Sequence, residues 1–114
     1  MYVVDNICLP LPIIIASSTS NIPPSSFTQD ITATRHRVLV AHPVNPPFAI
    51  PLVELVKSPW TEDDVVQKAK QLMLEIGQAP IVLKKEVDGF VLNRLQFALL
   101  AEAYRLVCCS FINT

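Results

Sequence analysis

The sequence predicts an α/β domain built on a mixed sheet, and three observations carry that reading. Two short runs rich in β-branched residues, at 13–16 and 37–42, are separated by about twenty residues, enough for a right-handed crossover between parallel strands. A proline-rich loop at 43–51 is too short for such a crossover and predicts an antiparallel return into the next strand. An apolar stripe of helical period after Thr61 supplies the layer that covers the sheet.

In chain order, residues 1–12 show no clean period. The run at 13–16 has the continuous apolar character of a strand buried on both faces, and it ends in the polar cluster Ser17-Ser18-Thr19-Ser20-Asn21. Pro23 and Pro24 suit the first turn of a short helix reaching about residue 30. Arg37-Val38-Leu39-Val40-Ala41-His42 is the second strand. Both strands then finish at one carboxyl edge, where open α/β sheets keep their ligands. The antiparallel return at 52–56 starts near that edge and brings Glu54 within reach of His42.

Thr61-Glu62-Asp63-Asp64 reads as a helix start, with threonine as the cap and acids in the first turn. Val65, Val66, Ala69, Leu72, Met73 and Ile76 form one stripe, and Gly77 closes the helix. Residues 80–84 are a further strand. The segment from Phe90 to Val107 reads as a second helix that is apolar nearly all round, which predicts burial on every side.

Composition narrows the function. Of 114 residues 51% are hydrophobic and 17% charged, which speaks for a packed core and against disorder. The net charge of −1 has no block of either sign, so there is no electrostatic footprint for nucleic acid or an anionic membrane. The apolar start, 1–16, lacks a basic n-region, carries Asp5 and Asn6 and is broken by Pro10 and Pro12, unlike a signal peptide or a bilayer span. Cys8, Cys108 and Cys109 have no C-x-x-C spacing, and the adjacent pair suits an ordinary disulfide poorly. Reduced thiols and a cytoplasmic location are the expectation. No metal site is expected, since no two ligands have helix or hairpin spacing. The two glycines, Gly77 and Gly89, leave no G-x-G-x-x-G and no phosphate-binding loop motif.

His42 with Glu54 is the leading candidate for chemistry. Histidine titrates near neutral pH and can take a proton from a hydroxyl, while a carboxylate on its other ring nitrogen fixes the tautomer. The competing reading is a buried histidine satisfied by backbone, with Glu54 exposed on one strand face. His36, between Arg35 and Arg37, reads as solvated. The serine-rich turn could bind a small substrate or cap the following helix. Asn93 and Arg94 could face a ligand or solvent.

Three segments together are no longer generic. Ala16-Ser17-Ser18-Thr19-Ser20, then His42-Pro43-Val44-Asn45-Pro46 with Leu52-Val53-Glu54, then Asp88-Gly89-Phe90-Val91-Leu92-Asn93-Arg94 resemble, in order and spacing, the NAD-dependent 3-hydroxyacyl-CoA dehydrogenase family. The Asn45-Pro46-Pro47 form and the helix from Phe97 to Val107 most resemble its lambda-crystallin, or L-gulonate 3-dehydrogenase, branch. The resemblance covers about residues 13–107. It implies that His42 is the base that takes the 3-hydroxyl proton as hydride passes to NAD, and that Glu54 is its paired acid. It further implies that Ser20 and Asn93 hold the substrate hydroxyl or carbonyl, and that Asn45 lies near the nicotinamide. The implied substrate is a 3-hydroxy acid such as L-gulonate or a 3-hydroxyacyl-CoA.

The implied fold is the later part of a Rossmann-like domain at 13–87, with parallel strands, added antiparallel strands and a covering helix. The first long helix of an all-α domain, which forms a homodimer in the family, follows at 88–107. Segments 1–12 and 108–114 depart from the pattern, and the strand, glycine-rich turn and helix that hold the dinucleotide pyrophosphate are not in the sequence. The expectation is an internal fragment of a dehydrogenase, inactive on its own. The alternative is a non-catalytic association or structural module that pairs through its apolar helix. A last strand parallel to its predecessor would end at the far side of the sheet, so a place for Asn93 beside His42 comes from the resemblance alone.

Overall fold

A computed structural model describes residues 13–109 and 111. The readings made for 1–12, Cys8 included, and for the tail positions 110 and 112–114 lie outside these residues. The element order is β1 (Ile15–Ser17), α1 (Pro24–Thr28), β2 (Val38–Pro43), β3 (Leu52–Lys57), α2 (Asp63–Glu75), β4 (Ala79–Leu83) and α3 (Leu92–Cys108), with one 3-10 turn at Arg35–Arg37. The strands lie side by side as β1-β2-β3-β4. The crossover makes β1 and β2 parallel, the proline loop makes β3 antiparallel to β2, and α2 makes β4 parallel to β3.

Strand alternation divides the core between two faces. Leu39, Val53 and Leu55 pack on Val65 and Ala69 of α2. Val40, Val56 and Leu83 point the other way and pack on Phe90, with Phe27 of α1 alongside. Each such side chain, fully removed from water, contributes about 1.5–3 kcal/mol of transfer free energy. His42 and Glu54 share the Phe90 face, because they continue the Val40 and Val56 alternation.

Several local expectations are corrected. The run at 13–16 is not a strand buried on both faces: only Ile15–Ser17 pairs, at the edge of the described sheet, and Ala16 is exposed. Thr61 does not cap α2. Its hydroxyl donates to the Val38 carbonyl at 2.6 Å and accepts the Ser58 N–H at 3.0 Å, fastening the β3–α2 loop to the sheet, and the cap position falls to Glu62. The α2 stripe buries Val65, Val66 and Ala69 and packs Met73 partly buried against the same core, while Leu72 and Ile76 are exposed. Gly77, at φ 82, does end that helix.

The largest departure lies between β4 and α3. Because β4 runs parallel to β3, it ends at the sheet edge opposite His42, and residues 84–91 then cross back over the Phe90 face. Glu86 Oε2 accepts the Ser25 N–H at 3.0 Å, and Gly89 N–H donates to the Asn21 carbonyl at 3.2 Å. Gly89 and Phe90 take left-handed conformations, φ 74 and 51, and Phe90 is wholly buried. Phe90 is therefore the anchor of this return and not the first residue of a helix, which begins at Leu92. No residue of α3 is buried; Leu95, Phe97, Leu99, Leu100 and Tyr104 are among its exposed side chains. The Arg105 guanidinium grips Glu102 through two bonds and holds its carboxyl below the usual carboxylate range.

The two glycines differ in what surrounds them. A Cβ at Gly89 would meet Asn21 Oδ1 at 3.1 Å, whereas one at Gly77 would meet nothing within 4 Å. Gly77→Ala is expected to cost about 1 kcal/mol, the left-handed backbone penalty alone. Gly89→Ala is expected to cost about 2 kcal/mol or more, since a close contact adds to the same penalty. Urea unfolding of both variants measures the difference; equal losses would show that the Asn21 contact does not constrain the return.

Candidate active site

His42 lies one residue before the end of β2, and Glu54 is its direct partner across the antiparallel pair. That register sets the two side chains together on one face, with His42 Nδ1 2.7 Å from Glu54 Oε2. His42 is 6% exposed and Glu54 0%. The competing reading, an exposed Glu54 beside a histidine satisfied by backbone, is thereby overturned.

The other carboxylate oxygen has its own partners. Glu54 Oε1 accepts the N–H groups of Val91 and Leu92, at 2.9 and 3.0 Å. These are among the first backbone donors of α3, which have no acceptor within the helix and carry the positive end of its dipole. A buried carboxylate costs several kcal/mol in desolvation unless its lone pairs are taken. Here three N–H donors converge on it, which suits an ionised, acceptor-only group. The Nδ1 of His42 is then the protonated nitrogen and Nε2 the free one. The Phe90 ring, 5.5 Å from the imidazole and tilted by 55°, packs against it.

His42 opens onto a cleft of ≈ 630 Å³ between the proline loop and α3. Its polar lining is Ser20, His42, Asn45, Asn93 and Gln96, and its apolar lining includes Val44, Ile50, Leu92, Leu95 and Leu99. Asn93 Nδ2 donates to the Ser20 carbonyl at 2.6 Å, which ties the start of α3 to the turn after β1 and leaves Asn93 Oδ1 as an acceptor. The Asn45–Pro46 peptide in the loop wall is cis. Of the residues singled out in the sequence, Ser20, His42, Asn45 and Asn93 line this one cleft, and Glu54 stands behind His42. Asn93 arrives there despite the parallel course of β4, because the 84–91 segment carries the chain back.

Other candidates fall elsewhere. The serine-rich turn does not cap α1, which has no side-chain cap; Thr19 Oγ1 instead donates to the Ile22 carbonyl. Arg94 is exposed and does not line the cleft. His36 is half-buried in the 3-10 turn, where its carbonyl accepts the Glu62 N–H, and Arg35 stacks over Trp60 at 4.6 Å. Cys108 and Cys109 are free and exposed. Among the described residues no three potential metal ligands gather, and no helix is long and apolar enough to cross a membrane.

Sequence reasoning missed two components. The Val91 and Leu92 N–H groups are backbone, with no residue signature. Gln96 did carry a signal, as the one polar residue in the apolar run 95–101.

Comparison with known proteins identifies the family of the chain. The family model of the 3-hydroxyacyl-CoA dehydrogenase NAD binding domain matches residues 2–87. A human lambda-crystallin homolog is 50% identical over 95 residues, 83% of this chain and 30% of its own length. A 3-hydroxyacyl-CoA dehydrogenase of Gibberella moniliformis is 47% identical over 101 residues, 89% of this chain and 31% of its own. Among solved structures, a 5-formyl-3-hydroxy-2-methylpyridine 4-carboxylic acid 5-dehydrogenase, an NAD+-dependent dismutase, superposes with a TM-score of 0.80 at 39% identity, covering 87% of this chain and 32% of that one. The chain thus spans about a third of the length of these relatives. With most of its residues matched by the family model, the chain belongs to the 3-hydroxyacyl-CoA dehydrogenase family, its residues 2–87 corresponding to the NAD binding domain.

Proposed function

We propose that these residues form the catalytic and substrate-binding half of a site for NAD-dependent oxidation of a 3-hydroxy acid or a 3-hydroxyacyl-CoA. The observation that carries this reading is an imidazole whose Nδ1 is held by a buried carboxylate while its Nε2 is free beside an open cleft. Bound NAD supplies the acceptor for the hydride that leaves the carbinol carbon. His42 Nε2 takes the proton of the 3-hydroxyl, the C–O bond becomes a carbonyl, and Glu54 stabilises the resulting imidazolium. Asn93 Oδ1 and Ser20 orient the hydroxyl. Asn45, on the cleft wall, would hold the nicotinamide.

The fit to NAD is partial. Uncharged hydrogen-bonding groups around the cleft suit a carboxamide and a hydroxyl, but the 114 residues contain no glycine-rich turn on which backbone N–H groups could cradle a pyrophosphate. In this reading 13–87 is the later part of the dinucleotide-binding domain and 88–107 opens a helical domain. The free thiols fit a cytoplasmic protein.

A second reading rests on α3. Phe97, Leu100 and Tyr104 recur at i, i+3 and i+7 and are all exposed, an apolar stripe that fits a second copy of the chain. Catalysis and association are compatible, because this stripe does not line the cleft.

Three outcomes are expected. A polypeptide of these 114 residues alone should show no NAD binding by calorimetry and negligible NADH formation from L-gulonate or 3-hydroxybutyryl-CoA; robust turnover would defeat the half-site reading. Glu54→Gln presents one acceptor oxygen where three donors converge. Its amide nitrogen must face either the helix N–H groups or His42 Nδ1, so the variant should move the His42 proton to Nε2 or loosen the first turn of α3. Nitrogen chemical shifts of His42 and amide exchange at Val91 and Leu92 report these changes, and a variant unaltered in both would mean that Glu54 does not set the tautomer. Sedimentation should detect self-association that Phe97→Glu weakens about tenfold and His42→Ala leaves alone; a monomer at high concentration would eliminate the second reading.

A further inference from the structure

Among the described residues three buried side-chain atoms have no hydrogen-bond partner, Thr34 Oγ1, Arg37 Nε and Gln78 Oε1, and only the guanidinium carries a charge. Arg37 is 7% exposed. Its Nη1 donates to the Ile13 carbonyl at 3.4 Å, a long bond, and no ion pair reaches it among the described residues. A buried cation is costly unless an anion compensates it, so an orphaned guanidinium asks for a ligand. The side chain lines a cavity of ≈ 80 Å³ whose exposed rim is Glu62, Asp64 and Lys68. This cavity lies where β2 begins, at the end of the strand away from His42, and on the face that α2 covers.

We propose that this cavity binds a small oxyanion, a phosphate or carboxylate group, side-on at Arg37. With Nη1 turned to Ile13, the guanidinium presents Nε and Nη2 along its other edge, two parallel donors spaced for two oxygens of one anion. The start of α2 adds to this. That helix is 13 residues long and has no side-chain cap, and its positive end opens at Asp64 and Val65, which both line the cavity. Two carboxylates on the rim oppose an anion. Asp64 is already paired with Lys68 at 2.8 Å. Glu62 is in no ion pair among the described residues, so it is the internal competitor for the guanidinium. Sites for whole organic ligands run to about 300–1,000 Å³, so this cavity takes the anionic group itself and not a nucleotide.

The Nε–H signal of Arg37 in the 114-residue chain reports the site by NMR. Inorganic phosphate and acetate should each shift it saturably, while sodium chloride at equal ionic strength should not; the tighter of the two anions names the class of group. Arg37→Lys keeps the charge without the two-donor edge and should weaken phosphate binding, followed by calorimetry, about tenfold. Glu62→Gln removes the competitor, leaves Arg37 in place, and should bind phosphate more tightly than the unaltered chain. An equal shift with chloride, or no saturable shift of the Arg37 signal in the Glu62→Gln chain, overturns the oxyanion site and leaves the reading of the His42 cleft untouched.

Discussion

Glu54 accepts three N–H groups at a point that water does not reach. One comes from the imidazole on the neighbouring strand and two from the backbone at the start of α3. The arrangement satisfies a carboxylate that would otherwise be costly to bury, and the same carboxylate supplies the acceptor that those helix donors lack. It also joins three parts of the chain: the end of β2, the start of β3 and the entry to α3. The orientation of the imidazole and the placement of the helix that forms the far wall of the cleft thus depend on a single side chain. A carboxamide, which has the same shape but only one acceptor oxygen, cannot serve both.

Much of the sheet was legible from loop length, because loop length limits geometry directly. The spacing before Val38 allowed a crossover, and the nine residues between His42 and Leu52 did not, so the relative directions of β1, β2 and β3 followed. The pairing of His42 with Glu54 then needed only the register. Motif resemblance singled out Ser20 and Asn45 at the edge that topology had already given, and added Asn93, which chain topology alone did not bring there. What stayed hidden depends on contacts distant in sequence. The Thr61 hydroxyl has the composition of a helix cap, but the Val38 carbonyl across the loop claims it. Phe90 continues an apolar run, but a left-handed backbone removes it from the helix and turns it onto the sheet.

That left-handed pair has a physical reason. The chain must leave the 84–91 crossing, place a large ring against Val40 and Val56, and within two residues point its free N–H groups at Glu54. Gly89 takes the first positive φ at no steric cost and passes close to Asn21. Phe90 takes the second at a cost of about 1–2 kcal/mol, which the burial of a phenyl ring more than offsets. The strain lies beside His42, and the ring it positions is the one that packs on the imidazole.

The bond from Asn93 to Ser20 joins residues 73 apart in sequence, while the sheet pairs only strands that are consecutive. Strand pairing can therefore proceed outward from the β2–β3 hairpin through successive neighbours, with short loops to close at each step. The cleft cannot form by that route, because its two walls meet only after the chain has returned across the whole sheet. Closing the cleft therefore carries a larger loop-closure entropy than any single strand pairing, and local opening at the Asn93–Ser20 bond would be the cheapest way for a ligand to enter or leave.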